Sequence, residues 1–255
     1  MAFDAHTHLD FEAFAPDRAA VCERARQAGV DGWLIAGAAP ADWDRIERVA
    51  AETGGLAACG VHPWWLSELG EDAVQAALAD LGQRDGLAAI GETGLDHVRA
   101  QDATTRTKQR ECFREHLSIA RNRNLPLVLH LVRASTEALQ LCRLDGLPEA
   151  GGMIHRWSGK PTQIAGAVSQ GLYISFGPAV LGKRASKQWE ALRRVPLDQL
   201  LFETDCPDQP LEGKQRGEPA DVLAVIAKAA QVLRVEPAAL AEQTADNARR
   251  LFRVG

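Results

Sequence analysis

Short apolar segments recur along the whole chain, and they alternate with longer segments whose apolar positions follow a helical period. Nearly continuous apolar runs of this length are typical of parallel strands that are covered on both faces. The runs predict strands at 2–6, 32–37, 56–61, 87–91, 126–130, 152–155, 172–176 and 200–204. The remaining segments predict helices at 17–28, 41–53, 71–83, 104–124, 134–145, 161–170, 184–195, 218–232 and 237–252.

This alternation predicts an α/β fold, and eight strand–helix units in 255 residues predict a (β/α)8 TIM barrel. We expect a single domain over residues 1–255, because no linker or shift in composition divides the chain into two smaller domains. A doubly wound open sheet is the alternative. It does not explain why polar side chains follow so many different strands, whereas a barrel brings all of these strand ends to one rim.

Composition and charge narrow the class of protein. The chain is 46% hydrophobic and 25% charged, as is usual for a globular protein, and no apolar run approaches the length of a membrane span. A net charge of −5 gives no general attraction to nucleic acid, so any such binding must come from local basic patches. The five cysteines form no Cys-x-x-Cys pair, which predicts reduced, buried thiols in a cytoplasmic protein.

Residues of the types that bind metal ions follow six of the predicted strands. In a barrel these strand ends meet at one rim, so their side chains can form a single pocket. Imidazole and carboxylate groups together suit Zn²⁺, Mn²⁺, Ni²⁺ or Fe²⁺ and, less well, Mg²⁺. The candidate ligands are His6, His8, Glu92, His130, His155 and Asp205.

The spacing of these residues predicts which of them would share an ion, if one or two divalent ions bind. His6 and His8 are two positions apart, so on a strand both imidazoles point to one face and can share an ion. Asp205 is expected to bind that same ion. His130 and His155 would then hold a second ion.

Glu92 and Asp205 are also the first candidates for catalysis. The Glu92 carboxylate follows a central strand, where it can bridge two ions. Two cations about 3.5–4 Å apart can activate water and bind both oxygens of a phosphoryl displacement. Asp205 is the candidate general base, because a carboxylate beside a metal can take the proton of the attacking water. The pattern therefore predicts a metal-dependent hydrolase that cleaves phosphodiester bonds.

Other polar residues have less specific interpretations. A histidine by itself is explained equally well by a structural hydrogen bond. His116 lies within a predicted helix and fits a surface or packing role, while His97 in a loop is left open. Asp4 and Asp10 flank the first histidine pair, where a hydrogen bond from a ligand imidazole to one of them is expected.

Seven segments, taken in order, resemble the TatD-related metal-dependent deoxyribonucleases, a family similar to the wider amidohydrolase barrels. The resemblance covers essentially the whole chain, and within the family it is greatest to the YjjV-like branch. The segments are 4–10, 60–63, 91–96, the segment around His130, 155–159, 203–207 and 247–252.

The resemblance implies that the same six residues hold one or two divalent ions. It also implies that His62, beside them, binds the substrate phosphate or orients water. The chain departs from the family's pattern at Arg156-Trp157, at Val132-Arg133 and at His97, positions that surround the substrate rather than the metal. No lysine precedes Arg106, so the carboxylated lysine of many amidohydrolases is missing, which favours TatD-like over lactonase or dihydroorotase chemistry.

Cations and tryptophans near the strand ends are candidate substrate contacts. Exposed tryptophans at 64, 65 or 157 would stack on bases, although core packing is the competing explanation for each. Solvation is the competing explanation for the cations. The candidate phosphate contacts are Arg133, Arg156, Lys160, Lys183, Arg184 and Lys187, and Trp157 is the preferred stacking residue.

These features favour DNA as the partner, either a single strand or a frayed end, because no groove-reading helix or broad basic face is visible. A monomer is favoured. The first alternative is a metal-dependent hydrolase of a small phosphoester, amide or lactone, which would use the same ions without a long groove. The second is a barrel that binds metal without catalysis.

Overall fold

Eight parallel strands follow one another around a barrel in the order of the sequence. The computed structural model describes residues 1–183 and 185–254, so the candidate phosphate contact Arg184 lies outside the described residues. The strands are β1 (Ala2–Thr7), β2 (Val30–Ala36), β3 (Leu56–Cys59), β4 (Ala89–Asp96), β5 (Leu127–Val132), β6 (Gly152–Ile154), β7 (Leu172–Phe176) and β8 (Leu200–Phe202).

The barrel closes between its first and last strands. Backbone hydrogen bonds join them, from Asp205 N to the His6 carbonyl at 2.9 Å and from His8 N to the Cys206 carbonyl at 2.8 Å. Deeper in the barrel, the buried Asp4 carboxylate accepts hydrogen bonds from the Thr204 backbone N–H and hydroxyl. The prediction of a (β/α)8 barrel is confirmed, and the open doubly wound sheet is excluded.

Helices surround the barrel, and among the described residues none has the length and apolar character of a membrane span. Predicted helices 161–170 and 218–232 are shorter than expected, because each begins as a 3-10 turn at a proline. The helices are α1 (Arg18–Ala28), α2 (Trp43–Thr53), α3 (Glu71–Leu81), α4 (Ala103–Arg123), α5 (Ser135–Asp145), α6 (Ile164–Val168), α7 (Ser186–Leu192), α8 (Val222–Leu233) and α9 (Pro237–Phe252).

The lower part of the barrel interior is apolar. One buried cluster joins side chains from seven of the strands to residues of α9 and contains none from α1 to α8, so it fills the inside of the barrel. Val128 and Met153 belong to this cluster. Side chains two positions apart point to the same side of a strand, so His130 and His155 lie directly above them. The apolar interior thus supports a polar layer at the carboxyl ends of the strands.

The fourth strand differs most from its prediction, because it runs on to Asp96 and Glu92 therefore lies within it. Its pairing with β5 is irregular between Ile90 and Thr93, where Gly91 has a φ of 153°. A Cβ atom at Gly91 would lie 2.5 Å from the Val128 carbonyl oxygen, so only glycine allows the two strands to approach this closely. The irregularity sets the position from which the Glu92 side chain projects.

His116 holds the segment that leads to His62. Its ring is completely buried; Nε2 accepts a hydrogen bond from the Val61 backbone N–H at 3.0 Å, and Nδ1 donates to the Cys112 carbonyl at 2.7 Å. The packing role expected for His116 is confirmed and the surface role is wrong. His97, by contrast, lies 3.0 Å from the Glu137 carboxylate in a partly exposed position.

His116 makes folding stability depend on pH. Burial lowers its pKa to about 4, so between that pH and about 6.5 the unfolded chain binds the proton that the folded protein excludes. The free energy of unfolding should therefore fall by up to about 3 kcal/mol through this one group as the pH decreases across that window.

Urea unfolding of the parental protein and His116→Gln at both ends of this pH window measures the effect. His116→Gln should lose less stability on acidification than the parental protein does. His97→Gln is the control and should retain the parental difference. An unchanged pH dependence in His116→Gln would contradict the assignment.

Candidate metal centre

All six candidate ligands converge in one buried cluster at the carboxyl ends of the strands. Each of them is at most 7% exposed, although they come from five different strands or from the residues just after them. Glu92 lies in the middle of the cluster. Its two carboxylate oxygens face different sets of side chains.

The first half of the centre contains His6, His8 and Asp205. Glu92 Oε1 lies 3.5 Å from His6 Nε2 and 3.7 Å from His8 Nε2. Asp205 Oδ1 faces the same two nitrogens, at 3.8 Å and 3.4 Å respectively. Two imidazole nitrogens and two carboxylate oxygens therefore surround one position, in the grouping expected from the sequence.

The second half contains His130, His155 and, in addition, His62. Glu92 Oε2 lies 3.1 Å from His155 Nε2, 3.7 Å from His130 Nδ1 and 3.7 Å from His62 Nε2. The facing nitrogens of His130 and His155 are 3.1 Å apart. One carboxylate therefore stands between two sets of nitrogen atoms, as a bridging ligand requires.

The chemistry of this cluster fits a divalent cation. His6 Nε2 is completely buried and has no hydrogen-bond partner, although such a nitrogen normally has one. Burial alone would raise the pKa of Glu92, but the imidazoles of His6 and His155 outweigh it and hold the pKa well below its usual range. The pKa of Asp205 is lowered as well, by His8 and the neighbouring imidazoles against the effect of burial. Two buried carboxylates that stay ionised need positive charge nearby, and a coordinated divalent ion would supply it.

Hydrogen bonds on the outer side of two imidazoles fix their orientation. His8 Nδ1 donates to the Ala36 carbonyl at 2.9 Å, which leaves Nε2 free to face the centre. His130 Nε2 lies 3.3 Å from Asp96 Oδ2, so Nδ1 faces the centre instead. Such partners set the tautomer and raise the basicity of a metal-binding imidazole.

In His62 the outer nitrogen accepts a hydrogen bond, whereas in His8 and His130 it faces an oxygen acceptor. His62 Nδ1 accepts a hydrogen bond from the Trp64 backbone N–H at 3.2 Å, so the neutral ring carries its proton on Nε2. Burial lowers the pKa of His62 to about 3, which keeps the ring neutral. The nitrogen that faces Glu92 is therefore a hydrogen-bond donor, unlike the ligand nitrogens of His8 and His130.

Two acidic residues at the centre were missed from the sequence. Asp96 orients His130, and Glu203 is completely buried with Oε1 3.5 Å from His155 Nδ1. The signal for both was the acidic residue within a strand-end motif, at 96 in segment 91–96 and at 203 in segment 203–207. The expectation that Asp4 or Asp10 accepts a hydrogen bond from a ligand imidazole is wrong. Asp4 is bonded to Thr204, and Asp10 is paired with Arg45 at 3.0 Å.

The rim above the centre is built from strained backbone. Arg133, Arg156 and Asp205 follow three different strands, and their φ angles are 53°, 45° and 57°. Side chains other than glycine rarely adopt this conformation, which is concentrated at functional sites. The guanidinium of Arg156 lies 3.3 Å from Asp205 Oδ2, whereas Arg133 lines a neighbouring groove.

Two of the candidate stacking residues, Trp157 and Trp64, differ in how far they are buried. Trp157 is 2% exposed and packs in the core, so the prediction that it contacts the substrate is wrong. Trp64 is 44% exposed and lines a cavity over the centre with Arg156, and its Nε1 donates to Asp96 at 2.6 Å. Lys183 is exposed, and the part of the chain that the structure describes offers it no ion-pair partner. Its predicted contact with the substrate stays a prediction.

A barrel with buried imidazoles and carboxylates at the carboxyl ends of its strands has the architecture of a metal-dependent hydrolase. The sequence profile of the family described as TatD related DNase matches residues 3–253. The chain belongs to this family, and the prediction of a TatD-type metal-dependent hydrolase is confirmed.

Individual relatives agree with this assignment over the full length of the chain. The uncharacterized metal-dependent hydrolase YabD of Bacillus subtilis is 32% identical over 258 residues, with 100% of both chains covered. The uncharacterized metal-dependent hydrolase YjjV of Escherichia coli is 33% identical over 260 residues, which cover 98% of this chain and 97% of YjjV. The crystal structure of YjjV superposes with a TM-score of 0.90 at 29% identity, covering 100% of this chain and 98% of the other.

A third relative has a more specific name. The 3'-5' ssDNA/RNA exonuclease TatD of Yersinia pseudotuberculosis is 32% identical over 263 residues, which cover 99% of each chain. The similarity therefore extends over the whole barrel.

The position of Glu92 predicts that its replacement weakens metal binding in both halves of the centre. Glu92→Gln removes the negative charge and an oxygen ligand, so affinity for Zn²⁺ or Mn²⁺ should fall on the order of a hundredfold or more. Titration calorimetry on metal-free protein measures the affinity, and the rise in melting temperature on adding metal provides a second readout.

Glu115→Gln is the matched control, because that carboxylate is exposed on α4. It should bind metal as the parental protein does. Equal metal affinity in Glu92→Gln and the parental protein would exclude the bridging position.

Proposed function

We propose that this protein hydrolyses phosphodiester bonds in single-stranded nucleic acid, DNA in particular, with one or two divalent ions bound by His6, His8, Glu92, His130, His155 and Asp205. The observation that carries the proposal is the Glu92 carboxylate, whose two oxygens face two separate sets of ligand nitrogens. Zn²⁺, Mn²⁺, Ni²⁺ and Mg²⁺ are the candidate ions. The name of the Yersinia relative supports single-stranded DNA or RNA as the substrate class.

Asp205 acts as the general base. When bound, divalent ions polarise a phosphoryl oxygen and increase the acidity of water. Asp205 Oδ1 faces the metal-binding position of His6 and His8, so it can accept a proton from the attacking water there. Its other oxygen accepts a hydrogen bond from Gln209 Nε2 at 3.0 Å, which fixes the plane of the carboxylate.

Arg156 and His62 bind the phosphate that is being cleaved. The Arg156 guanidinium is half exposed above Asp205, where it can offset the charge that develops on the phosphoryl oxygens. His62 directs an N–H group toward the Glu92 side of the same space. A neutral donor there suits a phosphate oxygen.

Trp64 provides a surface for a base beside the scissile phosphate. The Arg99 guanidinium lies 4.6 Å from the centre of its ring on one side, and the exposed part of the ring adjoins the cavity over the centre. Stacking on an exposed aromatic ring is worth about 1–3 kcal/mol per base and tolerates any sequence. This surface favours an unpaired nucleotide, because a base held in a duplex cannot reach it.

We also infer that residues 1–255 act as one domain and that the monomer is active, since all six ligands come from one chain. Hydrolysis of a small phosphoester, amide or lactone is the alternative activity, and metal binding without catalysis is the least favoured function.

Asp205→Asn should lower kcat on single-stranded DNA by about 10²–10⁴, because the amide cannot accept the proton of the attacking water. The exposed Asp208→Asn, three residues along the chain, is the control and should keep the parental rate. Assays of both variants and of the parental protein with EDTA should compare single-stranded DNA, RNA, bis-p-nitrophenyl phosphate and lactones. Turnover of lactones or amides alone would exclude the nuclease function. Nuclease activity that survives removal of the metal would instead exclude the metal-dependent mechanism.

His62→Ala should lower kcat/KM by about 10–100-fold while leaving the metal content unchanged, because His62 donates a hydrogen bond and does not bind metal. Metal analysis of the purified variant, alongside the kinetics on single-stranded DNA, measures the two effects separately. A matching loss of metal would instead make His62 a ligand.

A further inference from the structure

A groove of about 840 Å³ opens beside the metal centre. It runs between the loop that follows β5, the loop that follows β6 and the first turns of α7. Its walls include Arg133, Thr136, Ser158, Lys160 and Lys187. None of these residues belongs to the metal centre.

The groove continues from the cavity over the metal centre. That smaller cavity, of about 320 Å³, is lined by His130, His155 and Arg156. The two spaces share Val132 and Ser158 as wall residues. A chain molecule bound at the centre can therefore extend into the groove without leaving the surface of the protein.

The groove is positively charged, although the protein as a whole carries a charge of −5. Arg133, Lys160 and Lys187 are exposed, and none of them has an ion-pair partner among the described residues. The two carboxylates in the walls are both paired. Glu137 lies 3.0 Å from His97 and 3.3 Å from Arg110, and Glu190 lies 3.0 Å from Arg194.

The walls are held in place before any ligand binds. Gln163 links the two walls through hydrogen bonds. Its Nε2 donates to the Thr136 hydroxyl at 2.7 Å, and its Oε1 accepts from the Lys160 backbone N–H at 2.8 Å. Arg133 occupies a left-handed backbone conformation, with φ at 53°. That strained conformation sets where the arginine side chain leaves the rim.

We propose that this groove binds the backbone phosphates of the substrate strand beyond the scissile bond, through Arg133, Lys160 and Lys187. This inference rests on the proposed nuclease function. The described wall residues include no Phe, Tyr or Trp, so the groove recognises phosphates rather than bases. Base stacking occurs instead at Trp64, over the metal centre.

Binding of a fluorescent single-stranded oligonucleotide, with EDTA present so that the strand is not cut, tests the groove directly. Each phosphate neutralised by a cation adds about 0.7 to the slope of log affinity against log salt concentration. The triple variant Arg133→Ala/Lys160→Ala/Lys187→Ala should lower that slope by about 2. Raising salt from roughly 50 to roughly 200 mM should thus weaken parental binding about 20-fold more than variant binding.

Two further variants complete the experiment. Lys160→Gln/Lys187→Gln leaves the strained backbone at Arg133 untouched and should give about two-thirds of the change in slope. Arg48→Ala/Arg143→Ala/Arg193→Ala removes the same number of exposed cations from outside the groove and should retain the parental slope. A parental slope in the two groove variants, or equal losses in the groove and control triples, would overturn the proposal.

Kinetics separate this inference from the proposed function. The groove triple should lower kcat/KM more for a long single strand than for a dinucleotide, because only the long strand reaches the groove. If the parental protein binds single strands with the expected salt slope but cleaves none, the nuclease function fails and the groove stands. If it cleaves them and the triple variant keeps the parental preference for length, the groove fails and the function stands.

Discussion

The Glu92 carboxylate, buried among imidazoles, is the interaction around which the rest of this protein is arranged. A charged group this deeply buried is costly unless charge or hydrogen bonds compensate it, and both of its oxygens face imidazole nitrogens. The barrel makes this arrangement possible by bringing residues from distant segments to one rim. Gly91 contributes as well, because the close approach of β4 to β5 sets where Glu92 projects.

The centre depends on an apolar core below it and on strained backbone at its rim. Below the ligands, an apolar cluster from seven strands and α9 gives the polar layer a rigid base. Above them, Arg133, Arg156 and Asp205 hold left-handed conformations, each costing on the order of 1–3 kcal/mol. Such strain persists only where surrounding structure enforces it, and strand closure between Asp205 and His6 does so for one of the three.

The protein is negatively charged as a whole, but cations that have no ion-pair partner among the described residues lie in the groove beside the metal centre. The protein is acidic overall, which disfavours nonspecific binding of nucleic acid. Near the centre, by contrast, Arg133, Arg156 and Lys160 lie on the loops that follow β5 and β6, and Lys187 lies in the first turn of α7. A strand that follows these loops would place one phosphate over Glu92 and expose one base to Trp64. In the proposed function, chemistry and substrate recognition would therefore use the same rim but different side chains.

The sequence by itself determined the barrel and the six candidate ligands, because strand periodicity and residue type are local properties. Strand ends in a barrel must meet, so His6 and Asp205 could be placed together although they are far apart in the chain. Tertiary structure alone decided the roles that depend on side-chain direction. Trp157 packs in the core, whereas Trp64 is exposed. His62 presents its Nε2 to the centre, whereas His130 presents its Nδ1. Those outcomes depend on hydrogen bonds and loop conformations after each strand, which no periodic pattern encodes.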